Sequence, residues 1–190
     1  MRIVGGRFRG RSLKPPASHN IRPTTDRTRE ALFNILAHGY AGALDGVRML
    51  DLFAGTGAVG FEALSRGAAF VLFVERSTEG RGLLRANMET LGAQGQCKIY
   101  RRDATAMGAA GTVQPFQLVF ADPPYGKGLG ERALQSAAAG DWLSQDALVI
   151  LEEQNGVAPR LPDSFQPLEQ RAFGDTTMHF FRFDASAATV

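Results

Sequence analysis

LDLFAGTGAVG, residues 50–60, decides the fold class. It lies within a short apolar run, VRMLDLF (47–53), and the glycine-rich turn that follows at once. Ala58 to Arg66 then reads as a helix. Strand, glycine turn and helix in that order predict the opening unit of an α/β fold. The alternation continues outward. FVLFVE (70–75), Cys97 to Asp103, FQLVFADPPY (116–125) and ALVILEE (147–153) read as further buried strands, with helices over Thr78 to Leu91 and over 129–141. Phe165 to Ala172 and MHFFRFD (178–184) close the chain with no helix between them, so one strand of a mostly parallel sheet runs antiparallel. Upstream, residues 1–14 read as two short strands around Gly5-Gly6, and 17–23 as a loop ending at Pro23. Thr24 to Asp26 are capping residues for a helix that carries Ala31, Leu32, Ile35 and Leu36 on one face and ends near Gly39.

Composition narrows the class. The 190 residues are 44% hydrophobic and 21% charged, which excludes wholesale disorder and fits one domain with a real core. A single cysteine, Cys97, excludes an internal disulfide framework and reads as a small buried strand residue. The start, MRIVGGRFRGR, is charged where a secretory signal needs an apolar stretch, and no apolar run reaches the roughly 18 residues of a membrane helix. The expectation is a cytoplasmic protein with no membrane partner.

The formal charge of +2 hides an uneven distribution. Residues 1–30 hold eight cations and two acids; the rest hold 13 cations and 17 acids. A +6 arm on a −4 body is the footprint of a polyanion binder. The arm cations Arg7, Arg9, Arg11, Lys14, Arg22 and Arg27 are the candidate nucleic-acid contacts. Arg29 is as readily an ion-pair partner of Asp26.

Gly55, Gly57 and Gly60 match GxGxxG, and Glu75 stands 20 residues after Gly55 at the end of the second strand. That pattern fits a dinucleotide. Asp51 argues against it. A carboxylate at the carboxyl end of the first strand, beside the glycine turn, repels a pyrophosphate and favours the ammonium and sulfonium of S-adenosylmethionine. Glu75 suits a ribose diol, and Asp103, at the end of the third strand, suits an adenine amine. Asp122-Pro123-Pro124-Tyr125 ends the fourth. Its aspartate and the Pro123 carbonyl are acceptors for an amine, the prolines stiffen the backbone, and Tyr125 offers a stacking face.

Residues 50–60 resemble the cofactor motif of class I S-adenosylmethionine methyltransferases, and DPPY resembles the motif of those that methylate exocyclic or amide nitrogens. MRIVGGRFRGRSLKPP, RPTTDRTREALFNIL, LDLFAGTGAVGFEALSRGA and DPPY occur in the order of the bacterial 16S rRNA (guanine(966)-N(2))-methyltransferase family, a resemblance that spans about residues 1–126. It implies a Rossmann-like, seven-stranded sheet over residues 41–190 and a basic extension, a β-hairpin and helix, over 1–40. It implies a cofactor site at Asp51, Phe53, Ala54, Gly55, Thr56, Gly57, Glu75, Arg76, Asp103 and Ala104. Catalysis would fall to Asp122, Pro123, Pro124 and Tyr125. The implied cofactor is S-adenosylmethionine, leaving as S-adenosylhomocysteine, with no metal. The implied partner is 16S rRNA, in the 30S subunit or an assembly intermediate, met by a monomer.

Other readings stay open on the same residues: adenine-N6 or glutamine-amide methylation, a nicotinamide oxidoreductase, or an idle assembly factor. His19, His38 and His179 show no metal-like spacing. Trp142 reads as core, Phe180, Phe181 and Phe183 as sheet packing, and Glu152 and Glu153 as solvated charges at a strand end.

Overall fold

A computed structural model describes residues 1–16 and 24–189. Seven strands form one sheet: β1 (Arg48–Leu52), β2 (Phe70–Val74), β3 (Cys97–Tyr100), β4 (Phe116–Ala121), β5 (Leu143–Gln154), β6 (Phe165–Phe173) and β7 (Thr176–Phe183). Their order is β3-β2-β1-β4-β5-β7-β6. The first five neighbours pair parallel, and β7 pairs antiparallel with both β5 and β6. This is the mostly parallel sheet with one reversed strand that the sequence implies. The order reverses beside β1, and in open α/β sheets a crevice opens at the carboxyl ends of the strands at such a switch point.

Helices α1 (Asp26–Gly39), α2 (Ala58–Ser65), α3 (Thr78–Leu91) and α4 (Leu129–Ala139) cover the sheet. None is long and apolar enough to cross a membrane among the described residues. Thr25 caps α1 by accepting from the Thr28 N–H at 3.1 Å, and Ser77 caps α3 through the Gly80 N–H at 3.0 Å. Two apolar clusters fill the two faces of the sheet. One joins Leu32, Phe33 and Leu36 of α1 to Phe61, Phe73 and Phe180; the other joins Trp142, Phe116 and Leu134 to Val149 and Phe183. Cys97 and Trp142 are buried in these clusters.

Three element limits differ from the sequence reading. β4 stops at Ala121, because Pro123 and Pro124 have no N–H for the ladder. β5 starts at Leu143, with the register shifting between Phe116 and Leu118. The amino-terminal hairpin forms, but as a single antiparallel bridge, Arg2 with Ser12, rather than two strands; Ile3 N–H to the Arg11 carbonyl at 2.9 Å, Gly10 N–H to the Ile3 carbonyl at 2.9 Å and Leu13 N–H to the Met1 carbonyl at 3.0 Å close it around a 3-10 turn at Gly6–Phe8. Other backbone donors reach side chains of the helices. Val4 and Gly5 N–H reach the Glu62 carboxylate at 2.9 and 2.8 Å, Phe8 N–H reaches Ser65 Oγ at 2.9 Å, and Lys14 N–H reaches Asn87 Oδ1 at 2.7 Å.

Those anchors weld the arm to α2 and α3. Glu62 is fully buried and also accepts from Arg66 Nε at 2.7 Å. Arg29, fully buried too, donates to Asp26 at 2.8 Å and to the Thr24 and Arg2 carbonyls, so the Asp26 pairing forms. The loop at 17–23, with His19 and Arg22, lies outside the described residues.

Glu62→Ala strands two backbone donors and a guanidinium. It is expected to lower the unfolding free energy by about 2–4 kcal/mol in urea denaturation. A loss below about 0.5 kcal/mol contradicts the anchoring role.

Candidate functional site

Five strand ends meet along the carboxyl edge. β1 turns sharply: Phe53 adopts φ 60°, Gly55 φ 54° and Gly57 φ 78° before α2 begins. A left-handed Phe53 is costly for a side-chain-bearing residue and persists only where its surroundings hold it. Asp51 Oδ2 accepts from the Gly60 N–H at 3.1 Å, across the turn. A Cβ at Gly60 would stand 2.4 Å from the Phe73 ring and 2.9 Å from Asp51 Oδ2, so this glycine is a packing requirement of helix on strand. A Cβ at Gly57 would collide with Leu84 and Phe61, at 2.5 and 2.6 Å.

The neighbouring strands supply more carboxylates. Glu75 accepts from Gly55 N–H at 2.9 Å and Ser77 N–H at 2.6 Å, which ties the glycine turn to the end of β2. Asp103 accepts from the Thr105 hydroxyl and N–H at 2.7 and 3.0 Å and pairs with Arg76 at 2.9 Å. Those Thr105 bonds, with Arg76, hold its carboxyl below the ordinary range. Asp51 behaves oppositely. Burial pushes its carboxyl up to about 8, against the Gly60 N–H, and the Glu75 charge adds to the rise.

These groups line one cavity of about 560 Å³. Asp51, Phe53, Ala54, Gly55, Thr56, Glu75, Arg76, Asp103 and Ala104 face it, with Asp122, Pro123, Pro124 and Tyr125 along one side. Gly57 is not among its lining residues; it starts α2 and packs beneath. Val59, Val74 and Phe120 add an apolar floor that the site reading passes over, although Val59 lies within the glycine motif, Val74 precedes Glu75 and Phe120 stands two residues before Asp122.

A second cavity of about 600 Å³ adjoins the first. Thr24, Thr25, Arg27 and Thr28 of α1 and its cap form one wall, and Phe173 to Thr176 at the β6–β7 turn form another. Asp122 and Tyr125 line both cavities. Tyr125 Oη lies 3.1 Å from Asp122 Oδ1 and 3.1 Å from Glu152 Oε1. Burial first, then the two carboxylates, keep this phenol protonated well above its ordinary range.

Glu152 and Glu153 are therefore not solvated charges: they are 5% and 2% exposed. β5 is flanked by β4 and β7, so its end is enclosed as well. Glu153 receives the Gly126 N–H at 3.2 Å and secures the loop after DPPY. Only the closing strand pair beside β5 signals this burial, and the pair EE reads as surface without it.

The arm cations are strung across the molecule. Arg27 lines the second cavity, and Lys14 sits over α3. Arg7 and Arg11 reach the opposite edge, donating to the Gln96 side chain and the Thr90 carbonyl. Arg9 is exposed nearby.

The family model described as Conserved hypothetical protein 95 matches residues 1–182. Ribosomal RNA small subunit methyltransferase D of Escherichia coli strain K12 is 37% identical over 188 residues, covering 97% of this chain and 91% of that protein. The Haemophilus influenzae protein of the same name is 32% identical, covering 96% and 93%. Among solved structures, the yhhF protein of Escherichia coli superposes with a TM-score of 0.82 at 34% identity, covering 97% of this chain and 98% of that one.

A carboxyl that titrates near 3.8 unfolded and about 8 folded keeps its proton on folding. Between those values the folded chain holds the extra proton, so this group drains stability as pH rises and its effect levels off above about 8. Asp51→Asn keeps an acceptor for Gly60 and removes that titration. It is expected to raise the melting temperature of the ligand-free protein by about 3 °C or more at pH 8 relative to its effect at pH 5. An unchanged pH slope contradicts the assignment.

Proposed function

The chain belongs to the Conserved hypothetical protein 95 family, with the ribosomal RNA small subunit methyltransferase D proteins, and on that premise we propose that this methyltransferase acts on the exocyclic 2-amino group of a guanine in 16S rRNA, at the family position 966, with S-adenosylmethionine as donor. The observation that carries this reading is the shared wall: one cavity suits the donor, the other an acceptor base, and Asp122 and Tyr125 stand between them.

The chemistry of the first cavity fits the donor. Asp51, Glu75, Glu79, Asp103 and Asp122 bring five carboxyl groups against two guanidinium groups, Arg76 and Arg102, the first of them paired with Asp103; that balance suits a cationic ligand with a ribose diol better than a pyrophosphate. Val59, Val74 and Phe120 give an apolar bed for an adenine ring. When bound, S-adenosylmethionine supplies a methyl group on a sulfonium, already activated for transfer.

The chain's own task is the acceptor. A guanine 2-amino group is a poor nucleophile because its lone pair is delocalised into the ring. Asp122 and the Pro123 carbonyl accept its two N–H bonds and turn the lone pair toward the donor cavity. Pro123 and Pro124 fix the backbone between these acceptors. Tyr125, kept protonated, steadies Asp122 and offers its ring face to the base. Holding both partners in line supplies several kcal/mol of the barrier. The proton released from nitrogen passes to Asp122 Oδ or to water.

A base reaches this wall only when unstacked from its helix. Arg7, Arg9, Arg11, Lys14 and Arg27 then grip phosphates along the flank of the molecule, and a single copy of the chain meets the 30S subunit or an assembly intermediate. This part of the binding is electrostatic, so it weakens steeply with salt while donor binding does not.

Mass mapping of small-subunit rRNA from a strain lacking the protein is expected to show one missing N2-methylguanosine. Asp122→Ala, supplied back, is expected to lose at least about 100-fold in transfer rate while binding the donor within threefold of wild type. Unchanged rRNA, or full restoration by Asp122→Ala, overturns the proposal.

A further inference from the structure

Glu152 has no part in the motif readings, yet it occupies the acceptor cavity beside Asp122. It is 5% exposed, at the end of β5. Its two oxygens are treated unequally. Oε1 is within reach of two hydroxyls, Tyr125 at 3.1 Å and Thr176 at 2.8 Å. Oε2 is buried and has no hydrogen-bond partner among the described residues.

A buried carboxylate oxygen without a donor is costly, by more than most hydrogen bonds contribute when made. The cluster is also short of protons. Each hydroxyl has one to give. Tyr125 has a second acceptor in Asp122 at 3.1 Å, and Thr176 has one in the Phe173 carbonyl at 3.2 Å. Both hydroxyls can therefore swing away from Glu152 when another donor arrives. The built geometry is that of a receptor for an N–H group, one hydroxyl's span from Asp122.

Given the reading that the acceptor is a guanine amine, we infer that Glu152 accepts the N1–H of the target base and so selects guanine. On the guanine edge N1–H is the immediate neighbour of the 2-amino group, so two adjacent carboxylates meet two adjacent donors. Adenine and cytosine present a lone pair at the ring nitrogen beside the amine. Against Glu152 that lone pair faces acceptor with acceptor, and the buried carboxylate stays unsatisfied. A site built to bond a substrate N–H rejects analogues lacking it far more strongly than an apolar pocket rejects a change of shape.

The test uses ligated small-subunit rRNA with either guanosine or 2-aminopurine at the position mapped as methylated. 2-Aminopurine keeps the 2-amino group and carries a lone pair at N1. The wild-type protein is expected to prefer guanosine by on the order of 100-fold or more in kcat/KM. Glu152→Gln offers an amide N–H to N1. It is expected to slow transfer to guanosine and to narrow the guanosine preference by about tenfold or more, with S-adenosylhomocysteine affinity and melting temperature near wild type. A folded Glu152→Gln protein with the wild-type preference overturns the inference. So do comparable wild-type rates on the two bases, a comparison that needs no variant. A wild-type protein that transfers nothing to guanosine overturns the guanine reading itself, a result distinct from either of these.

Discussion

A buried carboxylate closes the turn on which the site depends. Asp51 sits 3% exposed at the end of β1 and takes the Gly60 N–H at 3.1 Å, so the helix after the turn is tied to the strand before it. Glu75 makes the matching tie from β2 to Gly55. Desolvation makes the first tie costly when Asp51 is ionised and the site is empty. A cation nearby offsets that cost. The same residue thus destabilises the ligand-free fold at neutral pH, a cost of the kind often carried at functional sites.

Much of this was legible in the chain. Strand, turn and helix follow from the apolar run 47–53, the glycines and the hydrophobic period, and the α1 cap at Thr25 falls within the capping residues Thr24 to Asp26. The reversed β7 followed from two strands with no helix between them. The carboxylates at the strand ends came from spacing alone. What spacing does not reveal is which side chains the tertiary fold encloses. Glu62, Asn87 and Glu152 are polar residues in unremarkable local sequence, and each acquires its role from a segment distant in the chain. Glu62 meets Val4 and Gly5, Asn87 meets Lys14, and Glu152 meets Tyr125 and Thr176.

The amino-terminal arm shows the same principle in its backbone. The hairpin that local pattern favours closes through Ile3, Gly10 and Leu13 N–H, and the donors left over at Val4, Gly5 and Phe8 are taken by Glu62 and Ser65. Asn87 completes the weld from both sides, receiving the Lys14 N–H and donating to the Thr56 carbonyl of the glycine turn at 3.0 Å. The basic arm and the first cavity are one hydrogen-bonded unit. The arm's cations are spread rather than gathered: Arg7 and Arg11 lie against Gln96 and Thr90, Arg27 lines the second cavity and Arg29 is buried against Asp26.

The central claim is that the two adjoining cavities divide donor from acceptor at the Asp122–Tyr125 wall. A crystal structure with S-adenosylhomocysteine tests it most directly. The account predicts the ligand in the cavity of Asp51, Glu75 and Asp103, its sulfur turned toward Asp122, with the cavity of Thr25, Glu152 and Thr176 left open for a base. A ligand seated instead between α1 and the β6–β7 turn, or one whose sulfur faces away from Asp122, would contradict it.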